Sequence, residues 1–598
     1  MMKSSNSSVF GMLLFLFAGI FILAQGVYAQ SPVSPVKPVS PVKPVSPYDF
    51  PYGYPGQDYP VAGGHNLRMA GPNLGNPIFN GQVKRVAQHA LFLIQTGRAD
   101  EALEYADEYQ SRLPGYMDPE LHFMRAMAHS QLGRPDRALA SMRAAIESNE
   151  VSPLRFMAGP RRMFTGLYSH PEFITLWEEL EKELVHGPML GAMTESSARL
   201  WVRTVTETPV RVAVSPSQDM SDPLIYGPVI SRAGDDYTAV VPINGLKPDT
   251  QYYYEVLLGK ERHAVRENHQ QFRTFPQQNK PASFEIVFGG CSGFVPFNER
   301  MWDTVRRFNP LAMLTLGDNV YIDDPESPDQ QRLMYYQRQS RPEWRRLAGS
   351  TPVYAIWDDH DFGKNDSWGG PEINIPYWKP MVWEIFKQNW VNPAYGDGER
   401  PGVWFDFHIA DVHFILLDGR YYREHNGRYD DGGEPVENPS MLGPHQLEWL
   451  KNTLAQSDAT FKVLISPVSW HVDSKGGQGN LDTWSGYLEE REAIFSWIPE
   501  YDISGVVLLS SDRHRSDAWL TEREDSYDLY EFGSGHFTNQ HTHRVMEGSL
   551  FGYNEKNSFG YLHFDTEAGD PAVTYKIVSI DGQVQESLTV KLSQLSNP

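Results

Sequence analysis

The stretch that decides the fold runs from residue 284 to residue 321 and contains two apolar segments, each followed by a polar side chain. The first segment reads Phe284-Glu-Ile-Val-Phe-Gly-Gly and leads into Cys291; the second reads Leu311-Ala-Met-Leu-Thr-Leu-Gly and leads into Asp318. Short apolar runs of this kind predict buried strands, so each polar residue lies where the chain leaves a sheet. A thiol and a carboxylate at two strand ends predict a shared metal site.

Three later apolar runs also end in polar clusters, which makes five such clusters in the C-terminal half of the chain. They are Cys291-Ser, Gly317-Asp-Asn-Val-Tyr321, Asp358-Asp-His-Asp361, Ser469-Trp-His471 and Ser511-Asp-Arg-His514. Because the strands of an α/β sheet end along one edge, we expect these clusters to meet in a single crevice. Carboxylates, imidazoles, a phenol and a thiolate are enough to hold two cations, with Asp318 as the natural bridge between them.

Taken singly, each of these residues also has a plainer explanation. The only cysteine, Cys291, fits a buried small hydrophobic residue or a free thiol as well as a metal ligand. The acidic run 358–361 also suits an exposed turn, and His471 suits a structural role. Arg420 could bind a phosphate with two parallel hydrogen bonds or pair with Asp418.

The composition is that of a large globular protein with several domains. At one domain per roughly 150 residues, 598 residues predict about three or four units. The 40% hydrophobic and 13% aromatic content argues against disorder over most of the chain. A formal net charge of −23 makes a nucleic-acid backbone an unfavourable partner.

The first residues predict export. Residues 1–29 carry one lysine, an uncharged apolar run and Val27-Tyr-Ala29, which is the pattern of a cleaved signal peptide; a retained membrane anchor is the alternative. We therefore expect a periplasmic, cell-surface or secreted protein, with no membrane span after cleavage. Residues 30–81 begin with Ser-Pro-Val and Lys-Pro-Val repeats, which predict an extended stalk followed by an irregular linker.

Residues 82–185 show helical periodicity and an internal repeat. Gly97-Arg-Ala-Asp-Glu-Ala-Leu103 recurs as Gly133-Arg-Pro-Asp-Arg-Ala-Leu139, which resembles a pair of tetratricopeptide repeats. We expect the Gly to end one helix and the Asp to cap the next. Such a unit would either bind a protein partner in a groove or shield one face of its neighbour.

Residues 186–280 switch to a period of two and predict a small all-β unit. Strand patterns such as Ala198-Arg-Leu-Trp-Val-Arg-Thr204 are separated by turn residues. Leu246-Lys-Pro-Asp-Thr-Gln-Tyr252 resembles the corner of a fibronectin type III-like sandwich, in which a tyrosine bonds back to the preceding loop. We expect this unit to support its neighbour and to do no chemistry.

The five clusters together resemble the metallophosphoesterase superfamily, whose pattern is Asp-x-His, Gly-Asp-x-x-Asp, Gly-Asn-His-Asp, a single His and Gly-His-x-His. This chain departs from that pattern at four positions, namely Cys291, Tyr321, Asp359 and Asp512. These departures, the segments 357–366 and 417–423 and the preceding β unit resemble the PhoD-like alkaline phosphatases. The resemblance covers residue 187 to the C-terminus.

The resemblance implies a fold and a set of site residues. Residues 281–598 would form a four-layer αββα catalytic domain of the α/β class. Fe3+ would be held by Cys291, Asp318 and Tyr321 with Asp512 or His514, and Ca2+ by Asp318, Asp359 and Asn365. His360 would protonate the leaving group. Substrate contacts would come from Asn319, Arg420 and His471.

The predicted function is hydrolysis of phosphate mono- or diesters by a metal-bound hydroxide, without a nucleic-acid partner. A purple acid phosphatase-like enzyme is one alternative, because that family also has a leading sandwich and a tyrosine ligand to iron. The other alternative is an inactive surface scaffold that binds a partner through the helical repeats.

Overall fold

The computed structural model describes residues 86–111, 119–148, 151–260, 263–265, 270–398, 400–427, 436–475 and 482–597. The predicted signal peptide and the predicted stalk and linker lie outside the described residues. Within the described part of the chain, no helix is both long enough and apolar enough to cross a membrane.

The described chain begins with a helical unit whose helices pack around their own core of Ala, Leu, Met and Phe side chains. The helices are α1 Val86–Gln95, α2 Ala99–Ser111, α3 Pro119–Gln131, α4 Pro135–Glu147, α5 Leu154–Ala158, α6 Thr165–Tyr168 and α7 Pro171–Leu180. Gly97 and Gly133 lie in the α1–α2 and α3–α4 turns with φ of 78° and 64°, so the predicted glycine turns are present.

The prediction that an aspartate caps the following helix is wrong for α4. Asp136 lies inside the first turn of α4, and the cap position is Arg134, whose side chain makes no capping hydrogen bond. Pro135 occupies the first helical position, where its fixed φ favours the helix and its missing N–H costs nothing. The assignment of these helices to the tetratricopeptide family stays a prediction.

The helical unit packs on the C-terminal half of the chain. Gln95 Nε2 donates to Ser327 Oγ at 3.1 Å, and Arg162 pairs with Asp329. Tyr336 is buried in the core of the helical unit. The unit therefore covers a segment that follows Asp318, as expected for the shielding alternative.

A β-sandwich follows. Its strands are β1 Leu184–Gly191, β2 Ser197–Thr204, β3 Pro209–Ser215, β4 Leu224–Ile230, β5 Thr238–Asn244, β6 Gln251–Leu258, β7 His263–Val265 and β8 Gln271–Arg273. They form a sheet in the order β1-β2-β5 and a second in the order β4-β3-β6-β7, with β8 on β6. The Lys247 backbone N–H donates to Tyr252 Oη at 2.9 Å, which is the predicted tyrosine contact. The fibronectin-like assignment itself stays a prediction.

The C-terminal half is a mixed α/β unit built on two sheets. Its strands are β9 Ser283–Gly289, β10 Ala312–Leu316, β11 Val353–Ile356, β12 Phe405–Ile409, β13 Val412–Leu416, β14 Phe461–Ile465, β15 Val506–Ser510, β16 Ser516–Thr521, β17 Leu529–Ser534, β18 Phe551–Tyr553, β19 Ser558–Asp565, β20 Ala572–Ser579 and β21 Val584–Lys591. Its helices are α8 Arg300–Arg307, α9 Pro328–Gln339, α10 Pro342–Ala348, α11 Asp359–Phe362, α12 Lys379–Asn389, α13 Gly443–Ala455 and α14 Leu488–Glu500.

Both sheets contain a parallel group of strands whose carboxyl ends can supply a site. The first sheet has the order β11-β10-β9-β19-β20-β21, in which β9, β10 and β11 are parallel. The second has the order β12-β13-β14-β15-β17-β16-β18, in which β13, β14 and β15 are parallel. Cys291, Asp318 and Asp358 follow the three parallel strands of the first sheet, as the strand-end pattern predicts.

The two sheets pack face to face through aromatic side chains. Phe564 of β19 is fully buried and contacts Phe414 of β13 and Phe461 of β14, with ring centroids 5.8 Å apart in each case. Tyr575 of β20 stacks on Phe532 of β17 at 4.6 Å. This shared aromatic layer fixes the two parallel groups relative to each other.

Phe564→Ala should therefore destabilise the protein by about 3–5 kcal/mol, because the substitution leaves a cavity between the sheets. Urea denaturation followed by tryptophan fluorescence measures this loss. The matched control is Tyr377→Ala, since the Tyr377 side chain is 73% exposed and its removal should change the stability by less than about 0.5 kcal/mol. Equal effects of the two substitutions would contradict the proposed role of the aromatic layer.

Candidate metal centre

Two groups of buried donor atoms meet at Asp318. Donor atoms of Cys291, Asp318 and His514 all lie within 4.8 Å of one another, and so do donor atoms of Asp318, Asp359 and His360. All five side chains are buried. One carboxylate shared by two adjacent donor groups is the arrangement that a pair of bridged cations needs.

The backbone bends sharply at four residues of this region. Cys291, Asp318, Asp512 and His514 have φ of 54°, 52°, 63° and 45°, a left-handed conformation that is uncommon for residues other than glycine. The turns are tied together, since the Cys291 N–H donates to the Gly317 carbonyl at 3.2 Å. This conformation turns each side chain back toward the crevice directly after its strand ends.

The electrostatics of the site show a deficit of positive charge. Burial raises the pKa of Asp318 well above its usual value, and the carboxylates of Asp359 and Asp358 raise it further. Burial and the neighbouring Asp318 and Asp512 likewise raise the pKa of the Cys291 thiol well above its usual value. Cations bound among these groups would relieve both the burial cost and the repulsion.

Several buried polar atoms in the same place lack hydrogen-bond partners, which supports the fit of the residues to metal ions. They are Asp359 Oδ1, Asp358 Oδ2 and His514 Nδ1. Buried polar atoms are nearly always paired, so unpaired acceptor atoms on these residues fit a role in binding cations. The donor set of thiol, carboxylate and imidazole suits transition metals and hard cations.

His360 is held by a carboxylate that strand-end reasoning did not single out. Its Nδ1 lies 2.6 Å from Asp323 Oδ1, and its ring lies 4.2 Å from that of Tyr321. The Ile322 N–H donates to the His360 carbonyl at 3.0 Å, so the two loops are joined through their backbones as well. Asp323 therefore fixes the orientation of the imidazole.

A second carboxylate organises the backbone beneath the donors. Asp361 accepts hydrogen bonds from the N–H groups of Asp358, Asn319 and Val320, each at 3.1 Å. Burial nevertheless raises its pKa to about 7. Asp361 therefore connects the turn after β10 to the start of α11.

Arg420 lies in a buried ion network behind the donors. Its Nε donates to Asp358 Oδ1 at 2.5 Å and its Nη1 to Asp482 Oδ1 at 2.9 Å. Arg423 Nη1 also donates to Asp482 Oδ1, at 2.8 Å. The network holds Asp358, the residue just before Asp359, against the second sheet.

Comparison with known proteins identifies this unit. Residues 286–569 match a family model described as PhoD-like phosphatase. The chain contains a PhoD-like phosphatase domain. Residues 181–278, which cover the β-sandwich, match a model described as a domain of unknown function (DUF7800).

Curated relatives are similar at low identity. Alkaline phosphatase D of Bacillus subtilis (strain 168) is 20% identical over 380 residues, which cover 57% of this chain and 62% of that protein. Purple acid phosphatase 15 of Arabidopsis thaliana is 25% identical over 251 residues, which cover 39% of this chain and 40% of that protein. The chain thus spans less than two thirds of the length of either relative.

A solved structure described as "Structure of PhoD" has a TM-score of 0.57 at 17% identity, covering 69% of this chain and 90% of that chain. At this identity the likeness concerns the fold. It agrees with the mixed α/β architecture that the sequence predicts for the PhoD-like domain.

The two residues predicted as alternatives for the last iron ligand lie in different surroundings. His514 joins Cys291 and Asp318, whereas Asp512 pairs with Arg513 Nη1 at 2.8 Å. Burial works to raise the pKa of Asp512, but Arg513 and Lys475 outweigh it and hold the pKa at about 2. Tyr321 Oη donates to Asp318 Oδ2 at 2.8 Å, so the phenol lies at the same donor group.

The structure shows the surroundings of four other predicted site residues. Asn365 is exposed, while its neighbour Asp366 donates its N–H to Asp359 Oδ2 at 2.5 Å. Asn319 Nδ2 donates to the Ile356 carbonyl at 2.8 Å, which is a structural contact. His471 stacks on Trp519 at 4.5 Å. Arg420 is fully buried, its guanidinium pairs with Asp358 and Asp482, and its backbone N–H donates to Asp418 Oδ1 at 2.8 Å.

The sequence argument missed residues that only the fold brings into the PhoD-like domain's crevice. Asp323 follows Asp318 in a loop without periodicity. Nothing in the sequence indicates that it lies beside His360 of the run 358–361. His541 and His543 approach His514 with ring centroids 4.8 and 5.0 Å away, although no role was predicted for them. Burial, with His541 and His543 next, lowers the pKa of His514 well below its usual value, which keeps it neutral as a ligand must be.

Proposed function

We propose that this protein is a metal-dependent phosphoesterase that hydrolyses phosphate mono- or diesters. The observation that carries the proposal is the sharing of Asp318 between two buried donor groups at the ends of parallel strands. The match of residues 286–569 to PhoD-like phosphatase and the phosphatase names of the relatives support it.

The donor groups favour two different ions. Cys291, Asp318, Tyr321 and His514 offer a thiol, a carboxylate, a phenol and an imidazole, which suit Fe3+. Asp318 and Asp359 offer hard oxygen ligands, which suit Ca2+. When bound, such ions neutralise the phosphoryl oxygens and lower the pKa of a water molecule so that it can attack phosphorus.

The residues around the ions perform the remaining steps. His360 is placed beside both Asp318 and Asp359, and we assign it the transfer of a proton to the departing alkoxide. Asp323 accepts a hydrogen bond from His360 Nδ1, which leaves Nε2 as the proton-donating atom. Arg420 acts through Asp358, which it fixes, and not through a contact with substrate.

Two further parts of the proposal concern the rest of the chain. Residues 1–29 act as a signal for export to the periplasm, the cell surface or the medium. The helical unit shields the segment 327–336 of the PhoD-like domain, as the contacts of Gln95 and Arg162 favour. A protein partner for the helical unit stays a prediction.

Removal and return of metal ions tests the function. Purified protein should hydrolyse nitrophenyl phosphate and bis-nitrophenyl phosphate at alkaline pH, lose this activity on chelation, and regain it with iron and calcium together. Metal analysis should find both elements, and the iron-loaded protein should show a visible tyrosinate-to-iron absorption.

Two results would redirect the proposal. Absence of turnover in metal-replete protein would favour the inactive scaffold. An acidic optimum without dependence on Ca2+ would favour a purple acid phosphatase-like enzyme, a second candidate supported by the Arabidopsis relatives. The presence of Cys291 in the donor group counts against that candidate, because it places a thiol beside Asp318.

A further inference from the structure

We propose that Asp406, His408 and His413 form a separate Zn2+ site on the outer face of the β12–β13 hairpin. Donor atoms of these three side chains all lie within 4.8 Å of one another. None of the three belongs to the metal centre around Asp318, and the sequence analysis assigned them no role. We call this group the hairpin cluster.

The hairpin brings the three side chains to one face. Asp406 and His408 are two residues apart on β12, so they point to the same side of the sheet. His413 of β13 is the cross-strand partner of His408. The alternate residues Phe405, Phe407 and Ile409 are buried on the opposite face, so the register that fills the core also assembles the hairpin cluster.

The distances are close to those of a zinc site. His413 Nε2 lies 3.0 Å from Asp406 Oδ2. A tetrahedral Zn2+ with bonds of about 2.0–2.1 Å separates its donor atoms by about 3.4 Å, so this pair needs to move by only about 0.4 Å. His408 stacks on His413 with ring centroids 4.0 Å apart, and a nitrogen of its ring lies within 4.8 Å of the other two donor atoms.

The surroundings orient the ligands. His413 Nδ1 lies 2.8 Å from Ser457 Oγ, just beyond the C-terminal end of α13. A hydrogen bond to the second ring nitrogen is the usual support of a metal-binding histidine, because it fixes the tautomer and the ring angle. With Nδ1 held by Ser457, Nε2 is the nitrogen that faces Asp406.

The local charge also favours a cation. Asp458 follows Ser457 and acts on His408 together with Asp406, and the end of α13 adds its partial negative charge. Lys462 is an opposing positive charge opposite His413 in the β13–β14 register, and its Nζ donates to the Ser504 carbonyl at 3.1 Å.

A plainer arrangement explains part of the hairpin cluster. His413 Nε2–H can donate to Asp406 while Ser457 donates to His413 Nδ1, and this needs no ion. It leaves unexplained why a second imidazole is stacked on the first with a donor nitrogen within 4.8 Å of the same carboxylate. Two imidazoles and one carboxylate on adjacent strands are ligands that Zn2+ takes, with water completing the coordination.

Zinc content of the full chain tests the proposal. Wild-type protein, His408→Gln, Asp406→Asn and the control His445→Gln are stripped with a chelator, dialysed against micromolar Zn2+ with millimolar Ca2+ and Mg2+ present, and analysed for zinc per chain. His445 is a solvent-exposed histidine on α13. We expect His408→Gln and Asp406→Asn each to lose one zinc per chain relative to wild type, and His445→Gln to lose none.

A second measurement separates this site from the catalytic one. Phosphoesterase activity of His408→Gln reconstituted with iron and calcium should remain within about twofold of wild type, while the rise in thermal midpoint on adding Zn2+ should be smaller than in wild type. Equal zinc content in wild type and both variants overturns the proposal. An equal loss of zinc in His445→Gln also overturns it. Full displacement of the extra zinc by Ca2+ or Mg2+ overturns it as well, because it would indicate only weak binding of cations to acidic side chains.

Discussion

Asp318→Asn is expected to abolish phosphate-ester hydrolysis while the protein stays folded. Asp318 belongs to both donor groups, so the substitution weakens both ion sites at once. Loss of a residue that merely orients a metal ligand costs about 10- to 100-fold in affinity or activity, so loss of the shared ligand should cost more than about 100-fold. Steady-state kinetics with a nitrophenyl diester and metal analysis of the same sample measure both effects.

The control for this substitution is Asp525→Asn, an identical change at an exposed position. It should leave kcat, KM and metal content unchanged. Full activity of Asp318→Asn with both ions retained would contradict the bridging role and with it the proposed mechanism.

The same substitution should also change the pH dependence of stability of the metal-free protein. Burial, Asp359 and Asp358 raise the folded-state pKa of Asp318 well above its usual value. The folded protein therefore holds a proton that the unfolded chain releases above about pH 4, and the free energy of unfolding falls as the pH rises from there through the folded-state pKa. In metal-free Asp318→Asn the free energy of unfolding does not fall with pH for this reason. At pH 8 its melting temperature should therefore be no lower than that of metal-free wild type. A clearly lower melting temperature would mean that the carboxylate itself stabilises the fold.

His360→Ala is expected to lower turnover by about 100- to 10,000-fold for esters with poor leaving groups, because general acid catalysis contributes about that much. Nitrophenyl esters need little protonation as they depart and should lose far less. Comparison of an alkyl and a nitrophenyl ester of phosphate measures this difference. An equal loss for both esters, accompanied by loss of metal, would identify His360 as a ligand of the Asp318–Asp359 group and not as the acid.

Asp323→Asn separates the orientation of the ring from the ring itself. The variant retains His360 but removes the carboxylate 2.6 Å from its Nδ1, so activity toward the alkyl ester should fall by less than in His360→Ala. Metal content should not change, and the loss toward the nitrophenyl ester should be smaller, because that ester needs little protonation as it departs. Asp324→Asn, one residue further along, is the matched control and should show neither effect.

The strand ends were predictable from the sequence because the signal is local. The apolar runs before Cys291 and Asp318 have strand length, and parallel strands place their ends on one edge, so the meeting of Cys291, Asp318 and Asp359 follows from pattern alone. Glycine turns in the helical unit were predictable for the same reason. The capping error at Asp136 arose because Pro135 also starts helices, which places the cap at Arg134, two residues earlier.

The supporting contacts could not be predicted, because they join residues that are distant in sequence. Arg420 is 62 residues away from both Asp358 and Asp482, and nothing in the run 417–423 indicates which carboxylate it binds. Asp323 lies in a loop whose path depends on the backbone of His360. The hairpin cluster depends on the register of β12 against β13, and this register cannot be read from the sequence.

The left-handed backbone at Cys291, Asp318, Asp512 and His514 lowers the stability of the fold. A side chain other than glycine in that conformation costs about 1–2 kcal/mol, so the four positions together hold the fold below the stability that glycine would allow. Replacement by glycine would relieve this backbone strain at each position, but it would also remove the buried contacts of the deleted side chain. The left-handed conformation of these donors thus lowers the stability of the fold. The melting temperature of Cys291→Gly relative to wild type would measure how far the relief of strain exceeds the lost contacts.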